Sequence, residues 1–208
     1  MNKIKYLAAA LIAVAGLGLQ HAKADTANYT LTVPNGSNFG PGPYGTVTVN
    51  RTSSTSATIT FTAAAGYLFV DGGAVAVNVA GTWSSPVTYA TNVGANLVTG
   101  VGSHQDDGFG IFNQTGSQAN SSNGASTVTF TLTATGSTTW ATAGAVLVNN
   151  ASGWSIAVHI QSTTGATQGQ TGFVGGVPNG SLPDGGATVM LLGMAFGTLG
   201  MVRRYLIG

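Results

Sequence analysis

The chain contains no cysteine and no glutamate, and only 5% of its 208 residues are charged. Without thiols there is no disulfide framework, no thiolate metal site and no cysteine nucleophile. All three lysines lie at or before Lys23, so the formal net charge of +1 is made by the two ends of the chain. Between Asp25 and Leu182 a single cation, Arg51, stands against Asp25, Asp71, Asp106 and Asp107. A segment with that balance offers no basic patch for phosphate neutralisation, which excludes nucleic acid as a partner. Side-chain catalysis needs acids, bases and nucleophiles held together. The same segment supplies only four Asp and two His, His104 and His159, for those roles. We therefore expect a non-enzymatic protein with no cofactor.

Helical periodicity is also missing between Asp25 and Leu182, and a period of two takes its place. Thr46 to Asn50, Thr58 to Thr62 and Thr127 to Thr133 alternate an apolar side chain with a hydroxyl, the pattern of half-buried antiparallel strands. Further strands are expected at Tyr29 to Val33, Tyr67 to Val70, Val75 to Val79, Val146 to Asn149 and Trp154 to Ile160. In the last of these Trp154, Ile156 and Val158 face the core, and His159 faces solvent. Pro34-Asn35-Gly36, Asp107-Gly108 and Asn123-Gly124 supply turn residues between them. Asp71-Gly72-Gly73 reads as a hairpin turn joining Phe69-Val70 to Ala74-Val75. The fold class that follows is all-β, an antiparallel β-sandwich of roughly eight to ten strands. It occupies residues 25–161 and is flanked by an N-terminal signal helix and a C-terminal transmembrane helix. Residues 162–181, poor in hydrophobes and rich in Thr, Gly and Gln, read as a flexible spacer.

The two ends read as addresses. Lys3 and Lys5 precede an apolar run from Leu7 to Leu19, and Ala22 and Ala24 place small residues at the two positions a signal peptidase reads, so residues 1–24 form a signal peptide. At the other end, motif residues 182–186 (Leu-Pro-Asp-Gly-Gly) are followed by an apolar stretch at 187–202 and a basic end at 203–208. Sixteen residues of helix reach about 24 Å, close to the thickness of a bilayer core. Arg203 and Arg204 would hold that end in the cytoplasm, with everything before Leu182 outside. Pro183-Asp184-Gly185, the glycine-bearing apolar run and the terminal arginines together resemble the tails of PEP-CTERM exported bacterial proteins, in the variant whose motif is Val-Pro-Asp-Ser-Gly. The resemblance implies an exosortase and a signal peptidase as partners during export, and transient inner-membrane anchoring before arrival at the cell surface or outside the cell. It also implies a place in the extracellular matrix beside exopolysaccharide.

A carbohydrate-binding module is the alternative reading, with Trp83 and Trp140, set among Thr, Ser and Ala, as the exposed stacking surfaces. Asp106 and Asp107, next to His104, are the candidate metal ligands, although adjacent residues on an extended chain point to opposite faces. The Thr-x-Thr rows put hydroxyls about 6.7 Å apart on one sheet face, where an array of them can order water or meet sugar hydroxyls. Thr also suits any strand that must stay soluble without charge. Strands so poor in charge have little protection against edge pairing, so self-association is expected as well.

Overall fold

The computed structural model describes residues 25–36, 39–70, 74–92, 98–118 and 124–179. The expected signal helix, the 182–208 tail and the turns at Asp71-Gly72-Gly73 and Asn123 lie outside them wholly or in part. Among the described residues no helix is long and apolar enough to cross a membrane. The chain is all-β and antiparallel, as its alternation dictates. In chain order the strands are β1 (Asp25–Pro34), β2 (Gly45–Ser53), β3 (Ser56–Ala63), β4 (Tyr67–Phe69), β5 (Val75–Val77), β6 (Tyr89–Thr91), β7 (Val98–Asp106), β8 (Gly110–Gln118), β9 (Thr127–Thr133), β10 (Ile156–Ser162) and β11 (Thr171–Pro178).

These strands do not divide into the two separate sheets of a sandwich. They hydrogen-bond into one sheet of eleven strands in the order β6-β9-β3-β2-β1-β11-β10-β5-β8-β7, with β4 also paired to β10. The sheet curls, and its inner face encloses one core that includes Leu31, Val47, Ile59, Phe61, Phe69, Leu132, Ile156 and Ile160. Burying each such side chain contributes about 1.5–3 kcal/mol.

The first half of the sheet follows the sequence pattern closely. Register pairs Thr30 with Thr46, Thr46 with Thr62 and Thr62 with Thr127. It also aligns Asn28, Thr48, Thr60 and Thr129, and then Thr26, Asn50, Thr58 and Thr131. Four strands thus hold three rows in which every outward position is Thr or Asn, and no bulge interrupts them. Side chains bond across the strands, Thr48 to Asn28 at 3.0 Å, Thr58 to Thr131 at 3.1 Å and Thr129 to Thr60 at 3.2 Å.

The second half departs from expectation in four places. β4 and β5 do not form a hairpin with each other: both pair with β10, Phe69 opposite Ile160 and Val77 opposite Ile156, as two pieces of one interrupted strand. Val146 to Asn149 is no strand, because a 3-10 turn at Ala143–Ala145 precedes it and only an isolated bridge, Val79 to Leu147, joins it to the sheet. His159 is not open to solvent but half-buried, stacked on Phe173 at 4.5 Å. The outward face here carries a second small core of Ala76, Phe109, Phe112 and Ala157, with Trp154 and Phe173 packed against it.

The largest correction concerns the supposed spacer at 162–181. Thr171–Pro178 is β11, an interior strand that pairs with β1 through Thr30–Val177 and with β10 through Val158–Val174. It escapes a hydrophobicity reading because neighbours supply its apolar cover. An added Cβ at Gly175 would lie 2.5 Å from Phe109 and 2.6 Å from Trp154, and one at Gly176 would lie 3.2 Å from Ile156. Removing residues 163–179 should therefore abolish the cooperative urea transition, since the sheet loses the strand that joins its halves. A shortened protein unfolding at the wild-type midpoint would restore the spacer reading.

Candidate functional site

The loop from Asn149 to Ser155 is built around one side chain. Asn150 Oδ1 accepts the backbone N–H groups of Ser152 and Trp154, each at 3.0 Å, an Asx turn of the kind Asn favours. Its Nδ2 donates to the carbonyls of Phe109 at 2.9 Å and Ile111 at 3.1 Å, tying the loop to the β7–β8 hairpin. Gly153 takes the left-handed conformation the turn requires, with φ of 86°. The outcome is a fixed position for Trp154. Its indole lies over the bare backbone of Gly175, edge-on to Phe109 with ring centres 4.9 Å apart.

Trp154 is half-buried, and its remaining surface borders an open groove of about 650 Å³. Val148, 43% exposed, contributes an apolar wall with Pro178, and Asn28, Asn149, Asn179 and Ser155 supply polar groups. None of the lining residues is charged at neutral pH. The size is that of a small-ligand site, and the chemistry is an aromatic platform with amides around it. The Oδ1 atoms of Asn28 and Asn179 accept from Thr48 and Thr30, which orients both amides and leaves their N–H groups as donors.

The residues singled out from the sequence do not meet at this groove. Trp140, expected in an open loop, is only 1% exposed and donates its indole N–H to the Ala80 carbonyl at 3.0 Å, so it offers no stacking face. Trp83 is half-buried at a separate, shallower depression with Thr82, Asn113 and Gln114. Its indole N–H is bound to Gln114, whose own amide donates to the hydroxyl of Tyr89 at 2.6 Å. Burial pushes that hydroxyl's pKa up to about 12. Trp154, assigned to the core by alternation, is the tryptophan that borders the groove. The Asn-x-Ser-Gly-Trp run at 150–154 is the sequence signal that identifies its loop.

Asp106 and Asp107 part as neighbours on a strand end do. Asp106 is fully buried and Asp107 exposed, and among the described residues no three acidic or imidazole groups cluster as a metal site would need. Asp106 Oδ1 lies 3.1 Å from His104 Nδ1, while Oδ2 has no partner. Desolvation raises the Asp106 pKa from 3.8 to about 6, partly opposed by His104. The folded chain therefore keeps a proton that the unfolded chain has lost in that interval, so stability is greatest at the acid side and falls as pH rises through it. Asp106→Asn should flatten this slope and raise stability above pH 6 by about 1–2 kcal/mol, read as a higher urea midpoint. An unchanged slope between about pH 4 and 6 would assign the dependence to another group.

Comparison with curated proteins and with solved structures finds no match. A family model does match the end of the chain, the VPDSG-CTERM motif at residues 183–206. Pro183, Asp184 and Gly185 stand at its start, and Arg203 and Arg204 fall within its end. The chain therefore carries a PEP-CTERM-like C-terminal sorting tail, the mark of an exported, surface-directed protein.

Proposed function

We propose that the protein is a non-enzymatic component of the cell surface or extracellular matrix, delivered by an exosortase and associated there with exopolysaccharide. The single observation that carries this reading is the sorting tail at 183–206. Composition supports it. Residues 25–182 hold no Glu, Lys or Cys, and their one adjacent pair of carboxylates is split between a buried and an exposed side chain. A neutral sheet covered in hydroxyl and amide groups is compatible with a hydrated polysaccharide matrix, where ionic contacts are screened and hydrogen bonds are plentiful. The second reading, a carbohydrate-binding module, draws its support from Trp154 in place of Trp83 and Trp140.

On this account the tail is a temporary anchor. Signal peptidase would cut after Ala24 and exosortase near Pro183-Asp184-Gly185, releasing a protein that begins at Asp25 and lacks the apolar stretch. Intact-mass measurement of protein from culture supernatant should find that species. A strain without exosortase, or one carrying Pro183→Ala with Asp184→Ala, should keep the tail in the membrane fraction. Retention of the tail in the wild-type strain would make 187–202 a permanent anchor and overturn the sorting mechanism.

A further inference from the structure

We propose that the outward face of the sheet, from Trp154 across β11, β1, β2, β3 and β9, is a binding track for an uncharged polysaccharide chain. The inference rests on the matrix reading and assigns it a place and a chemistry. In antiparallel pairs, residues directly opposite each other share a face. Thr30 opposes Val177, and Gly175, the residue Trp154 covers, lies two positions before Val177 on the same face of β11. The indole and the Thr and Asn rows thus belong to one surface. Asn28 joins them, since it borders the groove beside Trp154 and accepts from Thr48 in the central row. From β11 to β9 the surface extends over four strand spacings, roughly 19 Å.

The character of this surface selects its occupant. Every group on the rows is neutral, and each hydroxyl or amide can both donate and accept, which matches a chain of sugar hydroxyls and gives nothing to a polyanion. β-branched Thr held by cross-strand bonds loses little rotamer freedom on binding. Three rows on four strands make a patch of only a few hundred Å², well short of the roughly 800 Å² per partner that a stable protein interface buries. Trp154 provides the stacking contact that hydroxyls alone lack, and its loop is fixed by Asn150 before any ligand arrives.

The test uses the released protein in native gels containing hydroxyethyl cellulose, galactomannan, dextran or, as the charged control, alginate. Wild-type protein should be retarded by at least one neutral polymer, insensitively to salt, and not by alginate. Trp154→Ala should weaken that retardation by about tenfold, and Thr48→Ala with Thr60→Ala and Thr129→Ala by about threefold. Trp83→Ala should leave it unchanged. Because Trp154 also packs on Phe109, Asn149→Ala serves as a groove variant that leaves the packing intact, and it should weaken retardation too. No retardation by any neutral polymer, or equal retardation of all variants, overturns the track. Co-sedimentation with the producing cells' own matrix is measured in parallel. Wild type and Trp154→Ala sedimenting alike would reject this site and keep the matrix reading, whereas wild type failing to sediment would reject the matrix reading itself.

Discussion

The structure depends on β11. Every other neighbour relation in the sheet lies within one of two blocks, β6-β9-β3-β2-β1 on one side and β10 with β4, β5, β8 and β7 on the other. β11 alone bonds to both, and without it β1 and β10 would each present an unpaired ladder of backbone groups. Its glycines are the means by which it fits between crowded neighbours. Gly175 admits Trp154 and Phe109 on the outward side, and Gly176 admits Ile156 and Leu31 on the inward side. The strand that looks least like a core element thus sits where both faces are most fully covered.

A second constraint is the shortage of charge. Surfaces are ordinarily kept soluble by Lys and Glu, and this sheet does it with hydroxyls and amides that satisfy one another across strands. The few ions that remain are placed with purpose. Arg51, nearly buried, bonds Asp25 at 2.7 Å, and the second oxygen of Asp25 accepts the N–H of Ala143 at 2.8 Å. Removing either partner would strand the other charge or a backbone donor in a poorly hydrated site. That pair fastens the first residue of β1 to β2 and to the turn at Ala143–Ala145.

The legible part of this fold is the part in which one face is buried and the other wet. β2, β3 and β9 alternate cleanly, and their register, which aligns the Thr rows, follows from hiding Val47, Ile59, Phe61 and Phe130. The regular array arises with no tandem repeat, because four unrelated strands are brought into phase by pairing alone. Where both faces are covered the period fails as a guide. Ile156, Ala157, Val158 and Ile160 are all buried, which hides the second core beneath Trp154. β4 and β5 misled because Asp-Gly-Gly is a hairpin signal only when its flanking strands prefer each other, and here β10 outcompetes both. Tryptophan exposure was misread for a related reason: small polar neighbours in sequence say nothing about the strands that fold over a residue. The sorting tail, by contrast, was legible because its meaning is carried by local order of residues alone.

β1 and β11 run antiparallel, with Tyr29 opposite Pro178, and the Asn179 N–H bonds the Asn28 carbonyl at 2.8 Å. Both ends of the described domain consequently leave from one pole, a few residues apart, and that pole also holds the groove of Trp154. A body hung from adjacent points behaves like a bell on a single hook: it can swing and spin without pulling its own sheet apart. Tension on the lead into β1 or out of β11 is met by the backbone bonds between them, loaded in shear along the strands instead of being peeled one at a time.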